Sequence, residues 1–163
     1  MQIGWHEAAL AGAAVLFLGY LVVRLWPGAP RHRALGADVR AARDRARAAT
    51  TPHARAEALC EAGKLSAQGG ARWTAAVGFF LRAMNSDPTW SGAPAELVRS
   101  FRKRRPRLLE KILWRRLAHL PWDADHRAAL GEITAGLAGI YERELRDKAR
   151  AEVMRRVGKS LPS

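Results

Sequence analysis

The sequence predicts an all-α protein, one N-terminal transmembrane helix followed by a small domain of about six helices. An uncharged apolar run, Ala8 to Val23, stands near the start. From Gly36 onward no stretch alternates apolar and polar residues, and no Asn-Gly or Asp-Gly hairpin signal occurs. Ala, Leu, Arg and Glu dominate there instead, and these are good helix formers.

The apolar run covers sixteen positions, short for a span. Extended to Trp5 and Trp26 it reaches 22 residues, which at about 1.5 Å per residue cover roughly 33 Å, enough for a hydrocarbon core. Trp5, Tyr20 and Trp26 stand where interfacial aromatics belong, and Arg24 is near enough to the end to snorkel to the headgroups. A cleaved signal peptide needs a basic start, and Met1 to Glu7 holds no Lys or Arg. Arg24, Arg31, Arg33, Arg40, Arg43, Arg45 and Arg47 follow the run, against Asp38 and Asp44. The positive-inside rule then sets the N-terminus outside and the rest in the cytoplasm. The expected organisation is an anchor over 1–28, a cytoplasmic helical domain over 29–157 and a tail over 158–163. The expected location is the cell (inner) membrane, crossed once.

Proline and glycine cut the remainder into helices. The first is expected over 37–49, with Val39, Ala42, Ala46 and Ala49 on one face. Thr51 and Pro52 supply a cap and a first helical residue for the second, 52–67, which Gly69-Gly70 ends. The third, 72–85, carries Trp73, Val77, Phe80 and Met84 at helical spacing and closes at Asp87-Pro88. A fourth over 94–104 and a fifth over 107–119 are separated by Pro106. The last is expected unbroken over 124–157, capped by Asp123 or Asp125, with Leu130, Ile133, Leu137, Ile140, Tyr141 and Leu145 facing inward.

Within the second and third helices, small residues stand at helical spacing opposite an aromatic. Gly63 precedes an Ala76-x3-Phe80 spacing, then Ala83 and the Asp87-Pro88 terminator. Residues 56–89 thereby resemble a single degenerate tetratricopeptide repeat. Leu59 and Ser66 depart from the family's aromatic positions, and neighbouring segments do not repeat the pattern. The resemblance implies a helical hairpin, packed through Gly63, Ala76, Phe80, Ala83 and Pro88, and protein partners. It implies no catalytic residue.

Charge gives the second signal. The chain has 163 residues, 28 Lys and Arg against 15 Asp and Glu, and a net charge of +13. With 48% hydrophobic residues it does not read as disordered. Much of the charge is one run: Arg99, Arg102, Lys103, Arg104, Arg105, Arg107, Lys111, Arg115 and Arg116, opposed by Glu110 alone. In the fifth helix Leu108, Leu109, Ile112, Leu113 and Leu117 share an apolar arc while Arg107, Lys111 and Arg115 line another. Arg116 interrupts the apolar arc and is expected at its edge. Such a basic amphipathic helix suits anionic lipid headgroups or the acidic face of a protein. No nucleic-acid-binding signature accompanies it, so a membrane-tethered nucleic-acid binder ranks third.

Catalytic motifs are missing from the chain: no Gly-rich phosphate loop, G-x-S-x-G elbow or H-E-x-x-H helix occurs. His119, Asp123, Asp125 and His126 form the best polar cluster, and the aspartates read as helix caps rather than metal ligands. His6 has the chemistry to ligate a porphyrin but reads as an interfacial histidine. The lone Cys60 excludes an internal disulfide and a cysteine-based zinc site, and reads as a buried small hydrophobe. Trp90, Trp114 and Trp122 are candidate interface anchors. No catalytic residue, metal, cofactor or small-molecule substrate is expected. The expected function is a non-enzymatic accessory or scaffold subunit. Its span would pack against an integral membrane protein complex, respiratory or photosynthetic, and its basic domain would brace the cytoplasmic side. The alternative is a tethered adaptor that recruits soluble proteins through the tetratricopeptide-like hairpin.

Overall fold

The computed structural model describes residues 16–18, 30–68 and 73–162, and among these every regular element is helical. The chain divides into two compact units, Met1–Ala34 and Leu35–Ser163. In the first, Leu16 to Leu18 are helical, with exposed side chains. Trp5, His6, Tyr20, Arg24 and Trp26 lie outside the described residues.

The transmembrane expectation is corrected. Among the described residues no helix is long and apolar enough to cross a membrane. The physical weakness is visible in the run itself. Seven of the sixteen positions from Ala8 to Val23 are Ala or Gly, and a span-length segment must borrow His6, Glu7 and Arg24. The single-pass topology, the inner-membrane location and the orientation drawn from the flanking arginines fall with it.

Among the described residues seven helices follow: α1 (Pro30–Ala48), α2 (Pro52–Gln68), α3 (Trp73–Ser86), α4 (Gly92–Phe101), α5 (Pro106–His119), α6 (Arg127–Gly139) and α7 (Lys148–Lys159). In α1, Ala42 and Ala46 are buried one turn apart. Thr51 caps α2, its hydroxyl accepting from the Ala54 N–H at 3.2 Å, and Pro52 starts the helix where no N–H is needed. His53, near the start of α2, reaches Asp87, just past the end of α3, at 2.8 Å, so the two helices run antiparallel. Asp87 also accepts from the Thr89 and Trp90 backbone N–H groups and the Thr89 hydroxyl, fixing the turn into α4. Burial pushes the Asp87 carboxyl up, but the hydrogen bonds from His53, Thr89 and Trp90 together outweigh it and hold it below its ordinary range.

The hairpin closes through a missing side chain. A methyl group placed on Gly63 would meet the end of the Phe80 ring at 3.0–3.1 Å, so glycine lets the aromatic seat between the helices without shifting. Phe80, Ala76 and Ala83 are fully buried. Helix α4 packs on α2 and α3 and also on α5 and α6, joining the hairpin to the second half. Phe80 meets Phe101 edge-on at 6.3 Å across that junction. Leu97, Leu113, Leu130, Ile133 and Leu137 continue the same buried core.

The long last helix is also corrected. It breaks into α6, a π turn (Ile140–Glu144) and α7. The Leu145 N–H donates to the Ile140 carbonyl at 3.0 Å, the five-residue reach of a π turn, and the Asp147 N–H donates to the Tyr141 carbonyl at 2.8 Å. Arg146 then takes a left-handed conformation, φ 55°, and Asp147 restarts the helix by accepting from the Arg150 N–H at 3.0 Å. Upstream, Asp123 accepts from the His126 N–H at 3.0 Å and so closes a turn before α6. Neither Asp123 nor Asp125 caps that helix directly, since α6 begins after His126 without a side-chain cap.

Candidate interaction surface

The basic run does not form one uniform patch. Arg116 is half-buried and turns inward, donating to the Asn85 side chain at 2.9 Å and to the Met84 carbonyl at the C-terminal end of α3. Its burial lowers the guanidinium pKa from its usual value. Arg102 lies 3.5 Å from Glu144 of the π turn, with its Nε buried and without a hydrogen bond among the described residues. Arg105 stacks over the Trp73 ring at 4.3 Å, and Arg104 reaches the Ala67 carbonyl at 3.5 Å. Arg99 pairs with Glu96 at 2.7 Å. These five residues join helices or pair within the fold.

Lys103, Arg107, Lys111 and Arg115 are different. All four are exposed, and among the described residues none makes an ion pair. The last three recur every four residues along α5, so they form one stripe on the solvent side. The opposite side of α5 buries Leu109, Leu113 and Leu117, and that amphipathic split is what leaves the cations outside.

Beside the stripe stands Trp114, 41% exposed although it is among the largest apolar side chains. Its indole N–H donates to the Tyr141 hydroxyl at 2.7 Å, which donates in turn to Glu110 at 2.7 Å. Arg150 of α7 lies 3.7 Å from Glu110 and 5.7 Å from the Tyr141 ring centre. Burial raises the Tyr141 pKa first, with the Glu110 carboxylate adding to it against the opposing Trp114 and Arg150 contacts. Glu110, Trp114, Tyr141, Arg150, Val153 and Met154 line an open groove of about 350 Å³. Tyr141 comes from the π turn, on which α5 and α7 both rest.

The other candidates are placed elsewhere. Gly63, Ala76, Phe80 and Ala83 lie inside the hairpin, and Pro88 is exposed on the turn that follows. Asp123 and His126 pair at 2.6 Å, whereas His119 and Asp125 are exposed. Among the described residues no group of three His, Cys, Asp or Glu side chains could hold a metal ion. Cys60 is buried, and desolvation first, then the Glu96 charge, push its thiol up to about 11. Trp90 meets His53 edge-on at 5.4 Å, and Trp122 is exposed.

Sequence reasoning singled out Trp114 and the basic stripe separately. It missed Tyr141, Arg150 and Val153 as their neighbours, because the predicted unbroken helix put Tyr141 in the interior stripe and gave no corner between α5 and α7. Asp147, a residue able to cap a new helix, was the available signal. Compared with family models, curated proteins and solved structures, the chain matches none.

Proposed function

We propose that this chain is a helical protein-binding scaffold that recruits an acidic protein partner through the exposed face of α5. The observation that carries the reading is the Arg107–Lys111–Arg115 stripe, three cations without acidic partners among the described residues, beside a half-exposed tryptophan. Arginine with tryptophan is the composition enriched at the energetic centres of protein interfaces. The tetratricopeptide-like α2–α3 hairpin fits the same class: closed through Gly63 and Phe80, it serves as a rigid support carrying α4 and, through it, α5.

The test is affinity capture with the full chain after nuclease treatment, beside a variant carrying Arg107→Glu, Lys111→Glu and Arg115→Glu together. The expected result is a protein partner retained by the parent, released as salt rises, and lost by the variant. Capture of the same proteins by both, or retention of nucleic acid or anionic vesicles in place of protein, overturns the reading.

A further inference from the structure

The geometry points to a specific occupant for the groove between α5 and α7: an acidic amphipathic helix of the partner, seating one apolar side chain against Trp114 and Val153. This rests on the scaffold reading above and specifies what that partner presents.

Shape and chemistry both select it. Trp114 and Val153 stand on the two helices at 41% and 53% exposure, with buried Tyr141 and Met154 beneath them. The two hydrogen-bond donors at the floor are already spent, the indole on Tyr141 and the phenol on Glu110. What remains on offer inside is hydrocarbon and aromatic ring, a seat for an apolar side chain. Few free donors are left there to grip a phosphate or read the edge of a base, which disfavours a nucleic acid. A second copy of this chain is disfavoured by a net charge of +13 on each molecule.

Charge spacing then selects a helix. Arg107 and Arg115 are eight residues apart on α5, about 12 Å along its axis at 1.5 Å per residue. Trp114 lies only about 20° round the helix from Arg107, so seat and cations share one edge. A helix laid along α5 presents carboxylates at every fourth residue with the same rise, while its neighbouring face carries the apolar anchor. Among the described residues no strand edge exists to accept an extended peptide by backbone pairing. Arg150 stands on the far rim, already paired with Asp147 at 3.2 Å and Glu110 at 3.7 Å, so the cations on offer to the partner line the α5 side.

The probe is a synthetic acidic peptide of about five helical turns, with Glu at every fourth position and Leu on the adjacent face. A scrambled peptide of the same composition, an oligothymidylate and phosphatidylserine vesicles serve as comparisons. Binding to the full chain is read by fluorescence anisotropy or light scattering. The patterned peptide is expected to bind at least about tenfold more tightly than the scrambled one. Trp114→Ala and Lys111→Glu are each expected to weaken it about tenfold, typical of a central anchor and its charged rim. Trp114→Ala also removes a hydrogen bond within the fold, so Val153→Ser, on a side chain that only walls the groove, gives an independent check. Its expected loss is smaller but in the same direction, with unchanged circular dichroism. Equal binding of patterned and scrambled peptides, weakened by Lys111→Glu and untouched by Trp114→Ala and Val153→Ser, overturns the groove and leaves the acidic-partner reading standing. Binding of neither peptide, together with partner capture indifferent to the triple reversal, overturns both. Tighter, Trp114-dependent binding of oligothymidylate or vesicles also overturns the proposal and assigns the surface to that ligand.

Discussion

At the α2–α3 hairpin the Phe80 ring abuts the bare backbone of Gly63, and the space between the helices is filled. At the corner of α5 and α7 a tryptophan and a glutamate of α5 are tied by hydrogen bonds to the tyrosine of the π turn, and a groove stays open above them. The first region spends its aromatic residue on the interior. The second keeps part of its aromatic surface in water, held in place by a polar tether. A small-residue contact makes support; a tethered aromatic beside cations makes a place for something else to bind.

The sharpest way to break that contrast is at Phe80. Phe80→Ala leaves a hole at the junction of α2, α3 and α4 and is expected to cost about 3–5 kcal/mol, read by urea or thermal unfolding. A loss under about 1 kcal/mol would remove the hairpin's claim to be the rigid part. Next comes Gly63→Ala. The added methyl must displace an aromatic ring held on all sides, so a loss of about 1–3 kcal/mol is expected despite alanine's better helix propensity. Gly139→Ala is the matched comparison: nothing lies within 4 Å of the new methyl, and a gain of about 0.5–1 kcal/mol is expected.

The smallest loss belongs to the open corner. Tyr141→Phe removes the tether and leaves Trp114 half in water, so about 1 kcal/mol is expected. The pH dependence identifies the phenol. Its pKa is raised in the fold, so the folded state favours the protonated form. Its contribution is fully present below about pH 10, the unfolded value, and lost as pH rises through the higher folded one. The parent is therefore expected to lose stability more steeply than Tyr141→Phe in that alkaline window. Superimposable alkaline unfolding profiles would mean the hydroxyl does not hold the corner.

Much of the helical layout was legible because local chemistry and tertiary packing agree. Thr51-Pro52 and Pro106 start helices, and Leu130, Ile133 and Leu137 face inward as their spacing requires. The break after Gly139 was hidden for a physical reason. Leu145 continues the apolar stripe, and Glu-Leu-Arg-Asp-Lys carries no glycine or proline to mark a left-handed residue. Arg146 adopts that conformation because Asp147 and the π turn fix the residues on either side. Arg116 sits half-buried at the edge of the apolar arc as expected, but a sequence cannot show that two acceptors, Met84 and Asn85, wait at the end of another helix and turn it inward. The apolar run near the N-terminus misled in the opposite way, since a lack of charge is weaker proof of a membrane helix than a sufficient length of bulky side chains.

The π turn gives the groove an unusual dependence on chain length. One residue deleted from the Leu145–Asp147 link that follows it would start α7 one position early and turn its faces by about 100° about the helix axis. Tyr141 would keep its place in the sequence, yet Arg150 and Val153 would face a different direction while every side chain remained unchanged. For this surface, insertions and deletions are a more potent currency of change than substitutions. Two chains differing by a single codon at this point could share a core and present unrelated faces to their partners.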